Sequence, residues 1–176
     1  TGDRLVAELR GRISAITRIA HRIIEKENEG RRPRVAMIEW IEPMMAAGNW
    51  MPELVSAAAA ESIFGQAGKH SPRMSMEELI AADPDVVVVA PCGFDLARTK
   101  REIALITEAP AFRGLRAYRE GRVAIADGNQ YLNRPGPRTV EALEVLAEII
   151  YPGKFRFERA PLSDGSPGWE WVMPSI

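Results

Sequence analysis

Asp85-Val86-Val87-Val88-Val89-Ala90-Pro91 is the stretch that decides the fold class. Its four successive valines leave no polar face, so the strand they form is buried on both sides, as at the centre of a parallel sheet covered by helices. Branching at Cβ suits the pleated backbone, and Pro91, which has no N–H to give to a ladder, ends the strand. Immediately upstream, Ser75-Met76-Glu77-Glu78 places a serine at a helix start and a glutamate three residues on. This capping-box pattern predicts a short helix ending at Ala82-Asp83-Pro84. Downstream, Pro91-Cys92-Gly93-Phe94 is a loop, and Asp95 caps a helix expected over Leu96 to Glu108.

Moving further out, Arg34 to Trp40 is a second short buried strand, followed by a long loop from Ile41 to Met51. Pro52 suits a first helical turn, and the helix is expected to run through four alanines to Phe64, before a loop over 65–73. Ala111 to Tyr118 reads as one or two helical turns, Arg122 to Asp127 as a third strand, and Gly128 to Pro135 as a loop. Pro137 to Tyr151 is an amphipathic helix with Val140, Leu143, Leu146, Ala147 and Ile150 turned inward. At the N-terminal end, Leu5, Val6, Leu9, Ile13, Ile16, Ala20, Ile23 and Ile24 recur at steps typical of one long helix over 3–26, which Gly11 weakens. After Pro152 no periodicity is visible, and an irregular tail is expected.

Strand, helices, strand, helix, strand, helix is the order of an α/β chain. The architecture expected is a Rossmann-like open parallel sheet preceded by a long helix, divided into a helix over 1–30, an α/β lobe over 31–152 and an irregular tail over 153–176. Such sheets bind ligands beyond the carboxyl ends of their strands. Here those ends are Trp40 with its loop, Pro91 to Phe94, and Asp127 to Arg134.

Composition removes several functional classes. The 176 residues, 46% hydrophobic and 27% charged, can bury one substantial core. With 23 basic and 24 acidic side chains the net charge is −1, unlike the basic footprint of a nucleic-acid binder. No apolar run approaches the roughly 18 residues of a membrane helix. Cys92 is alone and cannot form an internal disulfide. The N-terminus carries charges within its first ten residues and no apolar signal segment, but the first residue is Thr1, which reads as a processed or cut start.

The three strand ends supply the candidate chemistry. Trp40, Met44, Met45 and Trp50 offer wide apolar surfaces, suited either to a flat, greasy ligand or to capping the sheet. Phe94 stands at the second end. Asp127, Asn129, Gln130, Tyr131, Asn133 and Arg134 form the most polar end, able to bond amides, phosphate or carboxylates of a ligand, or to serve as turn residues. Cys92 is a possible nucleophile, but His21 and His70, the two histidines available as its base, lie on the first helix and in a distant loop. Cysteine and histidine are too few for a zinc site. Glu77 and Glu78 suit the positive end of a helix; Glu77 could equally be an exposed docking carboxylate.

Four segments carry a resemblance: Glu39-Trp40-Ile41-Glu42-Pro43, Ala47-Gly48-Asn49-Trp50-Met51-Pro52-Glu53-Leu54, Pro91-Cys92-Gly93-Phe94, and Asp127-Gly128-Asn129-Gln130-Tyr131-Leu132-Asn133-Arg134-Pro135-Gly136-Pro137-Arg138. Over about residues 3–152 the chain resembles the cobalamin-binding-protein family, part of the wider group of periplasmic receptors for cobalamin, haem and iron–siderophores. The resemblance implies two α/β lobes bridged by one rigid helix, with the ligand between them. Residues 3–26 would be that bridge and 34–151 the second lobe, the first lobe lying before Thr1 and absent from this chain. It implies a ligand-binding component of an ABC importer, periplasmic or extracytoplasmic, holding a metal chelate such as cobalamin. No catalytic residues, protein metal site or resident cofactor are implied. Trp40, Trp50, Tyr131 and Arg134 fall in ligand-facing loops, joined there by Met44, Phe94, Asn129 and Asn133 from the reading of the strand ends. Glu77 matches the glutamate with which such receptors dock on permease arginines. Ser71 stands where the cobalamin receptor has an aromatic residue. An uncovered first helix would permit self-association. Two other readings stay open: a small α/β enzyme using Cys92 or the Asp127 loop, and a cytoplasmic corrinoid or haem sensor or storage protein.

Overall fold

The computed structural model describes residues 2–159, 165 and 167–174. Helix α1 spans Gly2–Glu27 and buries Ile16, Ala20 and Ile24. In its first turns Leu5 and Val6 are 46% and 47% exposed. The strands are β1 (Arg34–Trp40), β2 (Met45–Ala46), β3 (Glu61–Ser62), β4 (Val86–Val89), β5 (Val123–Ala126) and β6 (Trp169–Trp171). They form one sheet in the order β2-β1-β4-β5-β6, with β3 beside the start of β1. β1, β3, β4 and β5 run parallel, while β2 and β6 are antiparallel additions at the flanks. The fold is therefore α/β with an open, largely parallel sheet.

The valines of β4 show why the sheet must be covered on both faces. Side chains alternate across a strand, so Val86 and Val88 join one buried cluster and Val87 and Val89 the other. The first cluster is closed by α1, by α2 (Met51–Ala57) and by the long helix over Thr139–Ile150. The second is closed by α3 (Met76–Ala82), α4 (Leu96–Glu102) and the short turns that follow, through Leu79, Leu96, Phe112, Leu115 and Tyr118. Those turns are α5 (Ala104–Thr107), α6 (Pro110–Arg113) and α7 (Arg116–Arg119); Thr139–Ile150 is α8. The α3 capping box forms as its sequence predicts, Ser75 Oγ accepting from Glu78 N and Glu78 Oε2 accepting from Ser75 N. Arg12 ties α1 to α8 through two hydrogen bonds to Glu144 Oε1, at 2.6 and 3.1 Å.

Four segments depart from the expectations. Helix α2 stops at Ala57 rather than Phe64. Ala58, Ala59 and Ala60 are buried, Ala59 has φ +53°, and the Tyr151 hydroxyl donates to the carbonyls of Ala58 and Ala59. The chain then enters β3, whose Glu61 and Ser62 pair with Arg34 and Val35. The helix expected over Leu96–Glu108 divides at Ile103 into α4 and α5. Within the Gly128–Pro135 loop, Gly128–Leu132 winds into a single π turn. After Pro152, Trp169–Trp171 adds a strand to the edge of β5, its Trp171, Glu170 and Trp169 opposite Ala124, Ile125 and Ala126.

Candidate functional site

The three strand ends meet in one rim, and main-chain hydrogen bonds join them. Cys92 N donates to Glu39 O at 3.0 Å, linking the second end to the first. Asn129 N donates to Phe94 O at 3.0 Å, linking the third to the second. The Asn133 amide donates to Ala90 O at 2.9 Å and pins the far end of the π turn to the same strand. Gly128 is where the two loops come closest, since a Cβ there would stand 2.1 Å from Pro91 O. The turn itself is held by buried Asp127, whose Oδ1 accepts from Asn129 N at 2.8 Å and Gln130 N at 2.6 Å.

At the first end, Trp40 is half-buried; its Nε1 donates to Glu42 O at 3.0 Å and its ring meets Phe94 edge-on at 5.4 Å. Phe94 is buried beneath the Arg98 guanidinium, 3.5 Å from the ring centre. Met44 and Trp50 are half-buried, packed against the second and first core clusters respectively. The loop bearing Trp50 is seated on residues 68–71. Asn49 N donates to Lys69 O at 2.7 Å, and a Cβ at Gly48 would lie 2.6 Å from that same carbonyl oxygen. Buried Ser71 bridges this contact, donating to Glu39 Oε1 at 2.8 Å and accepting from Gly48 N at 3.2 Å. A small hydroxyl thus knits the rim at this position.

The third end opens a concavity of about 400 Å³ lined by Asn129, Gln130 and residues 134–138. Arg134 is exposed, and its Nη2 donates to Asn129 Oδ1 at 3.1 Å. Arg138 donates to Glu141 Oε2 at 3.0 and 3.1 Å and to Gln130 Oε1 at 3.3 Å. Tyr131 does not reach this surface. It is 1% exposed, lies under the turn with Arg138 5.3 Å from its ring centre, and faces a Gly168 whose Cβ would stand 2.5 Å from the ring. Burial raises the pKa of its phenol. Of the candidate ligand residues, then, Trp40, Met44, Trp50, Asn129 and Arg134 border the rim, while Phe94, Tyr131 and Asn133 support it from below or from within. Gln130, named with the polar strand end, joins the concavity, and so does Arg138, which the sequence reading did not single out as a contact. The signal was the symmetry of Arg134-Pro135-Gly136-Pro137-Arg138, two arginines four residues apart on a stiff turn.

The profile of the periplasmic binding protein family matches residues 2–129. The chain belongs to this family. Its proteins are the substrate-binding components of importers rather than enzymes. A cobalamin-binding protein of Halobacterium salinarum is 27% identical over 147 residues, covering 82% of this chain and 38% of the relative. The chain therefore spans well under half the length of the curated relatives it matches. A periplasmic heme binding protein from Pseudomonas aeruginosa superposes with a TM-score of 0.71 at 22% identity, covering 96% of this chain and 57% of the other. The periplasmic vitamin B12 binding protein of Vibrio cholerae superposes at 0.55 with 19% identity, over 84% of this chain and 50% of that one. Both likenesses speak to the fold.

Other features of this periplasmic-binding-protein chain bear on the remaining readings. Cys92 is exposed and free at the rim, while His21 sits half-buried on α1 and His70 in the exposed 65–70 loop. Asp127 is engaged in holding the π turn. Among the described residues no group of three His, Cys, Asp or Glu side chains is placed to hold a metal ion, and no helix is long and apolar enough to cross a membrane. Glu77 is exposed in the first turn of α3, where Glu78 alone serves the cap.

Proposed function

We propose that the chain is the C-terminal lobe, with the bridging helix, of an importer receptor that binds a metal chelate of the corrinoid, haem or ferric-siderophore type. The observation that carries this reading is the rim. Three strand ends converge on one side of the sheet, with half-buried Trp40 and Trp50 at one end and an arginine-lined concavity of about 400 Å³ at the other. Apolar walls with a few placed polar groups are what a small-molecule site requires. The rim is one wall of a cleft, and a second lobe preceding Thr1 supplies the other. Exposed Leu5 and Val6 on α1 fit that arrangement, since a bridging helix packs against both lobes it joins. The compartment that goes with this role is extracytoplasmic, the partner is an ABC permease, and Glu77 is the docking carboxylate.

The test is titration of the protein, in the length in which it is encoded, with cobalamin, cobinamide, haem and ferric siderophores, followed by absorbance and calorimetry. Binding of one of them, weakened by Trp40→Ala or Trp50→Ala, is the expected result; no signal with any of them defeats the reading. Glu77→Lys should leave ligand affinity unchanged and reduce binding to permease in detergent or nanodiscs. A soluble sensor or storage protein would show no such loss.

A further inference from the structure

The hydrogen-bond bookkeeping of the concavity at residues 129–138 constrains what can enter it. Among the described residues, Asn129 and Gln130 are the amide side chains in its lining, and the oxygen of each accepts from an arginine: Asn129 Oδ1 from Arg134, Gln130 Oε1 from Arg138. Arg138 spends Nε and Nη2 on Glu141 and Nη1 on Gln130, whereas Arg134 spends only Nη2, on Asn129, and guanidinium has no acceptor to offer. The lining holds no carboxylate. Glu141, outside it, pairs with Arg138, whereas the partner of Arg134 is a neutral amide. The wall is thus rich in donors, and among the described residues Arg134 is the charge in it that no carboxylate pairs. Its geometry is stiff, because Asp127 holds the turn at Asn129 N and Gln130 N, and Pro135 and Pro137 restrict the backbone between the arginines.

We infer that this concavity selects chelates whose periphery carries carboxylates, and that Arg134 and Arg138, positioned by Asn129 and Gln130, are the residues that discriminate them from uncharged chelates. The inference rests on the chelate-receptor reading and narrows its ligand class. A carboxylate brings acceptors alone and matches guanidinium in charge and in fork geometry, whereas the amides of an uncharged ring bring no charge to pair with Arg134.

Ferric protoporphyrin and its dimethyl ester share a ring and a metal and differ by two carboxylates. Ferric dicitrate and dicyanocobinamide extend the comparison to an anionic and an uncharged chelate without a porphyrin. Dissociation constants for all four are measured with the encoded protein and with the Arg134→Gln/Arg138→Gln variant, whose thermal midpoint serves as the folding control. An anionic chelate should bind tightest. If that chelate is the porphyrin, the free acid should exceed the ester by on the order of tenfold or more, as expected for charge-assisted hydrogen bonds. The variant should lose the preference by weakening the acid while leaving the ester unchanged. Tightest binding of an uncharged chelate, equal binding of acid and ester, or a preference that survives in the variant overturns the inference and leaves the receptor reading standing. No binding of any chelate removes the receptor reading and this inference with it.

Discussion

Gly128→Ala tests whether the strand ends form one rigid rim or merely neighbouring loops. A methyl group at this position would lie 2.1 Å from Pro91 O and 2.8 Å from both Pro91 C and the Asn133 amide nitrogen. A clash with a flexible side-chain tip is cheap to relieve, but two of these three atoms are backbone. Pro91 cannot retreat easily: its carbonyl accepts from Phe94 N, Cys92 N is bonded to Glu39 O, and Asn133 reaches past it to Ala90 O. Overpacking of this kind costs about 1–3 kcal/mol. Losing the Asn133–Ala90 hydrogen bond adds about 1 kcal/mol, for a total of about 2–4 kcal/mol. For a chain of this size each kcal/mol lowers the melting temperature by about 2–4 °C, so a fall of roughly 5–15 °C is expected. Gly11→Ala is the control. Nothing lies within 4 Å of a Cβ at Gly11 on α1, so this change should stabilise the protein by roughly 1 kcal/mol. Calorimetry or urea titration measures both. A Gly128→Ala protein within about 0.5 kcal/mol of its parent, the ordinary range for a surface change, would refute the reasoning that the two loops are locked together.

Other expectations concern groups remote from the rim. Burial opposes the charge of Asp85, but hydrogen bonds from Arg31, the Arg34 amide and Arg116 outweigh it and lower its pKa. A depressed carboxyl stabilises the fold above its unfolded value near 3.9 and loses that contribution as pH falls through the lower folded value. Urea midpoints of Asp85→Asn should therefore lie below those of the parent at pH 7, and the gap should close as the pH falls through the lowered folded value. Burial pushes the Tyr151 hydroxyl up to about 12. This contribution is complete below the unfolded value near 10 and disappears as pH rises through the folded one. Tyr151→Phe should cost about 1–2 kcal/mol at pH 7 and should flatten the alkaline fall in stability between pH 10 and 12 seen by circular dichroism. Glu148 accepts from Arg159, Phe157 N and Trp169 Nε1. Glu148→Ala leaves Arg159 without its counter-charge among the described residues, so a loss of about 3–5 kcal/mol is expected, with faster hydrogen exchange confined to residues 155–159 and 167–172. Uniform acceleration over the whole chain would count against a local clasp.

The parts of the fold legible in the sequence were those where local chemistry and tertiary placement agree. The four valines could be nothing but a covered strand, Ser75 and Glu78 form the capping box their spacing predicts, and the order of elements implies an open parallel sheet. Illegible were the places where a distant partner decides. Nothing in Ala57-Ala58-Ala59-Ala60 opposes a helix. The Tyr151 hydroxyl, some ninety residues away, claims two of those carbonyls, and the edge of β1 draws the next residues into a strand. Tyr131 sits in a polar loop and invites a ligand role, yet residues after Pro152 return to cover it. At the site, the location was legible because it follows from topology. The pairing of its two arginines was not, because it depends on Glu141 reaching Arg138 while Arg134 meets only the Asn129 amide.

Strand β6 has a bearing on how the molecule behaves in company. Without it, the outer edge of β5 would present the unpaired main-chain groups of Ala124, Ile125 and Ala126 on a strand with no charged side chain. Such an edge is a template for another chain. The three residues that cover it make a short strand, half-buried, with Glu170 between two tryptophans and paired to Lys100. A charge inside a short strand discourages a further strand from adding on. Strand β6 thus guards the β5 edge against sheet-to-sheet aggregation, so a preparation lacking residues 169–171 should form oligomers more readily than its parent.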